Sequence, residues 1–299
     1  MAIRKEYNAN ASRTANEGEV LRVLNSTSRT VNPDVTGVEI GVQDLSSLAD
    51  IIAVIALGQA RHAIKVIASL EGAAPAVLHK DLFRGARGQL QIRGDTDAKR
   101  EASMYQRDAF LFECISWIMA RQDAGDRAFM KDPHISSTTQ GLDGLMIELD
   151  AIKDEIINAT IFEDKCTDYP RDQFRDEVLD TFSSHHSNDR CTDLLANTVS
   201  LIKDIGLTDD DATLAAARVL DIQYRTYKAS LTVDPSFLST PRLIALFKGY
   251  DGLDNLQQSQ RIGAVFPVTG NLREWFQQLA DLAIAAVNKF EAETDETHV

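Results

Sequence analysis

Apolar positions recur with helical spacing over residues 46–70, where Leu48, Ile51, Ile52, Ile55, Ala56, Ala60, Ala63 and Ile64 share a face; Gly58 divides the run and Pro75 stops it. A second helix is expected over 97–122, around the dense apolar block 109–119. A third is expected over 272–290, where Leu272, Trp275, Phe276, Leu279, Leu282, Ala283, Ala286, Val287 and Phe290 align. Two apolar, strand-like runs lie between them, at 141–149 and 159–167. Pro170 can open a helix, because its missing N–H costs nothing in a first turn, and Phe174, Val178 and Phe182 then form one stripe at intervals of four. Residues 183–189 break that stripe. Helices follow over 191–205 and 209–221, the latter started by Asp209, Asp210 and Asp211 at its positive end. Further strands are expected at 35–42, 223–233, 242–247 and 261–268, whereas 1–35 reads as largely loose and 122–140 as a polar linker.

The mixture of periods makes this an α/β (α+β) chain. Its 299 residues and 44% hydrophobic content give ample material for a core and exclude fibrous and low-complexity classes. A division into a mostly helical N-terminal region, 1–98, and a domain over 99–299 fits the pattern. Cys114, Cys166 and Cys191 are scattered without a CxxC pair, which suits a reduced cytoplasm, and the polar first residues do not resemble a signal peptide. The longest apolar run is interrupted by Asp50, Arg61, His62 and Lys65, so no membrane span is expected. A net charge of −14 disfavours a free-standing nucleic-acid binder, since backbone affinity comes from Lys and Arg displacing counterions. A partner subunit is one way to supply that affinity.

The chemistry concentrates in the two central strands. Glu163 and Lys165 are two apart, so they lie on one face of a strand, and a hairpin through 150–158 brings Asp143 beside them. Along this strand Ile161 precedes Glu163 and Lys165 on one face, and Phe162 precedes Asp164 and Cys166 on the other, so the strand leaves a core and emerges polar. Glu113 is embedded in the apolar block of the second helix, where an unpaired carboxylate is costly. The most basic stretch, containing Arg84, Arg87 and Arg93 around glycines, reads as a phosphate-contacting loop or an exposed connector. Arg171 and Arg175, near the end of the ExK strand, are phosphate-contact candidates or ordinary surface charge. His185 and His186 lack a third ligand at usable spacing.

A helix with an embedded Glu, a strand opened by Gly141-Leu-Asp-Gly144, a strand bearing Glu163-Asp-Lys165, a Pro-started helix and a strand near 223–233 together resemble the αβββαβ core of the PD-(D/E)xK nuclease superfamily. The resemblance covers residues 99–234; no proline precedes Asp143 and the first core strand is not evident. It implies a restriction-endonuclease-like core with helical N- and C-terminal additions, and metal-dependent hydrolysis of phosphodiester bonds, of DNA rather than RNA. It further implies Mg²⁺ (or Mn²⁺) held by Asp143 and Glu163 with Glu113 as an additional ligand, Lys165 acting on the attacking water, and Gln140 as a positioning group. Nuclease effectors of bacterial anti-phage systems, such as the HamA-like group, are the nearest in character, which implies a partner such as a helicase or ATPase subunit. The alternatives are a non-catalytic subunit that keeps the fold and a helical adaptor in which Glu163 and Lys165 are a simple salt pair.

Overall fold

The computed structural model describes residues 22–69, 73–134, 142–152, 155–203 and 207–297; Gln140 lies outside them. Seven strands form one mixed sheet: β1 (Leu24–Asn32), β2 (Val35–Val42), β3 (Ala128–Met130), β4 (Gly144–Leu149), β5 (Ile156–Lys165), β6 (Arg225–Val233) and β7 (Arg261–Pro267). Their spatial order is β1-β2-β7-β6-β5-β4-β3. The central strands β5, β6 and β7 are mutually parallel, and β2 runs parallel to β7. The β1–β2 hairpin and the β3–β4–β5 meander are antiparallel. The N-terminal region therefore extends the same sheet that the rest of the chain builds. Among the described residues no helix is long and apolar enough to cross a membrane.

Helices cover both faces, which is why the central strands are apolar on both sides rather than alternating. One face carries α1 (Leu45–Ala56), α2 (Ala60–Ser69), α3 (Lys80–Leu90), α4 (Asp97–Asp123) and α10 (Leu272–Thr297) over Phe162, Ala264 and Phe266. The other carries α5 (Pro170–Gln173), α6 (Leu179–His186), α7 (Cys191–Ile202), α8 (Asp209–Ala216) and α9 (Thr240–Leu246) over Ile161, Tyr227, Ala229, Leu231 and Val265. Asp44 and Thr96 cap α1 and α4 by accepting from the backbone N–H three residues on. Gly58, at φ 76°, makes the left-handed turn that separates α1 from α2.

Several local expectations are corrected. Residues 24–32 are a strand: β1 is an edge strand whose Ser and Thr side chains face solvent, and its pairing comes from backbone groups that carry no apolar pattern. The 122–140 linker contains β3, pinned to α4 by the Arg121 guanidinium donating to Ala128 O (2.7 Å) and the Trp117 indole to Lys131 O (3.1 Å). The glycine-containing basic stretch is no loop: it is α3, which turns Phe83, Ala86 and Leu90 inward. Residues 242–246 belong to a helix, with Pro241 in its first turn and Phe247 capping its end. The 170–186 stripe runs on through a π turn (Phe174–Val178) and reaches His186 before it breaks.

Gly263 in β7 shows how tightly the α9 side is packed. A Cβ there would stand 2.7 Å from the ring of Phe247, which packs edge-on against Phe174 at 5.3 Å. Gly263→Ala is expected to destabilise the fold by about 1–3 kcal/mol through overpacking. An unchanged urea midpoint would contradict this.

Candidate active site at the open end of the sheet

The last pair between β4 and β5 is Gly144 with Phe162, so on the same register Asp143 faces Glu163. Beyond that pair β5 continues, still joined to β6 as far as Lys165 with Leu231, but with no strand partner on the β4 side among the described residues. Residues 163–165 therefore form a projecting half-edge at the end of the sheet. Directly opposed residues on one face bring their Cβ atoms within about 5 Å, and the Asp143 and Glu163 carboxyls are in hydrogen-bonding contact. Lys165 Nζ stands 3.5 Å from Glu163 Oε2 and 3.4 Å from Glu177 Oε2, the latter presented by the π turn. The three residues expected to converge are therefore neighbours.

The electrostatics of this group are unbalanced. Glu163 is 3% exposed. Burial first, and then the facing Asp143, raise its pKa well above the ordinary carboxyl range, against the opposing pull of Lys165. Burial alone would lower the Lys165 pKa, but Glu163, Asp143 and Glu177 outweigh it and hold the ammonium charged. Three carboxylates thus surround one ammonium, which leaves room for a proton or a cation.

On the opposite face of β5, Asp164 lies between α4 and β6. Burial pushes its pKa up to about 7, opposed by hydrogen bonds from the Ser230 and Ser116 hydroxyls, and its Oδ1 has no hydrogen-bond partner among the described residues. The periodicity that singles out Glu163 and Lys165 gives no sign of this second, half-buried acid; the only hint is Asp in an otherwise apolar row with Phe162 and Cys166.

Both faces open on one cleft of about 900 Å³, lined among others by Glu113, His134, Asp143, Asp164, Lys165 and Tyr169. Glu163 is not in the lining and sits behind Asp143 and Lys165. Glu113 does reach the cleft, but its Oε1 accepts from His134 N (2.8 Å) and meets His134 Nδ1 at 3.0 Å. That partner answers the question its embedded position raised. Among the described residues no group of three or more His, Cys, Asp and Glu side chains is arranged to hold a metal ion.

The four arginines expected at phosphates are engaged elsewhere. Arg84 pairs with Asp81 on the surface at 2.5 Å. Arg87 bonds Glu291 at 2.6 Å and ties α3 to α10. Arg171 donates to the carbonyls of Leu246 and Lys248, both at 2.8 Å, and so caps the end of α9. Arg175 is held by Asp172 and Asp176 on its own helix. The third arginine of that basic stretch is better placed: Arg93 lines the cleft, and its guanidinium makes no ion pair or hydrogen bond among the described residues.

His185 and His186 lie at the end of α6, outside any metal-ligating group. His185 is 1% exposed, neither ring nitrogen has a hydrogen-bond partner among the described residues, and burial lowers its pKa from 6.5 to about 4. The unfolded imidazole takes up a proton below 6.5 and the folded one only near 4, so folding is progressively disfavoured as pH falls through that window. His185→Leu is expected to remove up to about 3 kcal/mol of this acid sensitivity. Denaturant melts at pH 7 and pH 4.5 would check it, and equal pH dependence in both proteins would contradict it.

No protein-family model, curated protein or solved structure matches the chain.

Proposed function

We propose that the protein is a metal-dependent nuclease that hydrolyses phosphodiester bonds, built on a PD-(D/E)xK type of core. The observation that carries this is the convergence of Asp143, Glu163 and Lys165 at an unpaired sheet end on a large cleft. The element order supports it as well: α4, the antiparallel strands β3, β4 and β5, the α5–α6 helix and, after the inserted α7 and α8, β6 parallel to β5 are compatible with the αβββαβ sequence of that superfamily.

The residues present suit Mg²⁺ or Mn²⁺. Two facing carboxyl groups, one of them buried with its pKa raised by that burial and by its neighbour, supply hard oxygen ligands. Mg²⁺ characteristically takes one or two carboxylates and keeps the rest of its shell for water and phosphate. When bound, such an ion polarises a phosphoryl oxygen and lowers the pKa of water. Asp143 and Glu163 would hold it. Lys165, fixed between Glu163 and Glu177, stays protonated, donates to the attacking water and opposes the negative charge that builds on the phosphoryl oxygens. The net charge of −14 and the commitment of Arg84, Arg87, Arg171 and Arg175 to internal partners suit an effector that works with a partner protein, which supplies nucleic-acid affinity in the cytoplasm. A place in anti-phage defence rests on the family resemblance alone.

One observation favours a second reading, a non-catalytic subunit that retains the fold: Glu163 is 3% exposed and does not line the cleft. The seven-stranded sheet is at odds with a purely helical adaptor. Incubating the purified chain with plasmid DNA and with RNA, in Mg²⁺, Mn²⁺ or chelator, separates the two. Metal-dependent cleavage lost in Lys165→Ala supports the nuclease. Absence of cleavage, together with no metal-induced rise in melting temperature, supports the scaffold.

A further inference from the structure

The walls of the cleft carry a different chemistry from its floor. Four cationic side chains line it: Arg93, Arg107, Lys165 and Arg273. Arg107 and Arg273 are bound to the buried Asp108, and Lys165 to Glu163 and Glu177, which leaves Arg93 alone uncommitted among them. Asp81, Glu113, Asp143, Asp164 and Asp168 line the same space, so acids outnumber bases. A duplex, whose affinity for proteins comes mainly from cations set along both phosphate backbones, meets few of them here. In their place the walls offer two tyrosines and four glutamine amides. Tyr169, 71% exposed, stands where β5 hands over to α5, and Tyr105, 46% exposed, rises from α4 with the Arg273 guanidinium over its ring at 4.6 Å. Gln89, Gln91, Gln106 and Gln173 supply neutral donors and acceptors around them. Open aromatic faces offer stacking to bases, and amides read base edges, but both need bases that are not already stacked and paired.

We infer that the cleft takes single-stranded nucleic acid, with bases stacked on Tyr169 and Tyr105 and a phosphate against Arg93. The inference rests on the nuclease reading for the chemistry at the floor, but the binding it describes can be measured without cleavage. The full chain carrying Glu163→Gln would be titrated in Mg²⁺ against a labelled mixed-sequence single strand, as DNA and as RNA, and against the corresponding duplex, with fluorescence anisotropy as the readout. The single strand is expected to bind about tenfold or more tightly than the duplex. Tyr169→Ala should weaken it at least about fivefold, with Tyr169→Phe near the parent value. With one free arginine the plot of log affinity against log salt should be shallow, with a slope near about −0.7 for each phosphate contacted. Circular dichroism melts confirm that the exposed Tyr169 variants are folded. Duplex bound as tightly as single strand, no binding of either, or an unaffected Tyr169→Ala variant would each overturn the inference. Tight single-strand binding by a wild-type chain that cleaves nothing in any metal would uphold it and overturn the nuclease instead.

Discussion

Replacing Glu163 by Gln is expected to lower Mg²⁺-dependent cleavage about 10³-fold or more, the scale on which active sites lose rate when one well-placed electrostatic group is removed. In chelator the same change should raise stability by about 1–2 kcal/mol. Glu163 is buried against Asp143, and an amide does away with the cost of desolvating and opposing two carboxylates. Lys165 is not stranded, because Asp143 and Glu177 still face it. The parent protein should therefore gain more in melting temperature from added Mg²⁺ than the variant does. The combination is diagnostic: a residue with a purely structural ion pair would lose stability on neutralisation and leave the response to Mg²⁺ unchanged. A variant that is less stable in chelator and equally responsive to Mg²⁺ would remove Glu163 from the metal site.

The second large effect is expected at Asp108, which is wholly buried on α4 behind the cleft. Its Oδ1 accepts from Arg107 Nε at 2.9 Å and Nη2 at 2.7 Å, and its Oδ2 accepts from Arg273 Nη1 at 2.9 Å. Arg107 is itself buried and reaches Gln277 of α10, while Arg273 bridges to Asp168 at 3.0 Å. One carboxylate thus joins α4, α10 and the segment after β5. Asp108→Ala leaves two guanidiniums without their main counter-charge in a dry setting, and a loss of about 3–5 kcal/mol is expected. Equilibrium denaturation would measure it. Asp108→Asn should fall between the two, and a loss below about 1 kcal/mol for the alanine variant would show that Gln277 and Asp168 suffice.

How much of this was legible beforehand varies with the kind of signal each residue leaves in the chain. The long helices α1, α4 and α10 announce themselves because burial imposes a period on their apolar residues, and the strands β5 and β6 because burial on both faces makes them short apolar, β-like runs. The strands β1 and β3 do not. One is a solvent-facing edge and the other three residues long, and both are held by backbone bonds and by the side chains of α4. The adjacency of Asp143, Glu163 and Lys165 was readable, since i and i+2 on a strand share a face and a short hairpin sets the opposing partner. The pairing of Glu113 with His134 was not, because it depends on where a non-periodic segment comes to rest. The arginines failed for a related reason. Composition shows that Arg171 and Arg87 are basic, but only the folded chain shows that a helix end and a neighbouring helix already claim them.

The two seams that flank β5 have a further consequence. Glu163 and Asp164 are consecutive acids on opposite faces, so a slide of a single residue would carry Glu163 to the pocket of Ser116 and Ser230 and leave Phe162 facing Asp143. Such a misthreaded molecule would look almost native in helix and strand content yet lack the paired acids. Antiparallel bonds to β4 on one side and parallel bonds to β6 on the other make the error hard to reach, since both ladders would have to shift together. The sheet is thus the proofreader of the chemistry at its own end.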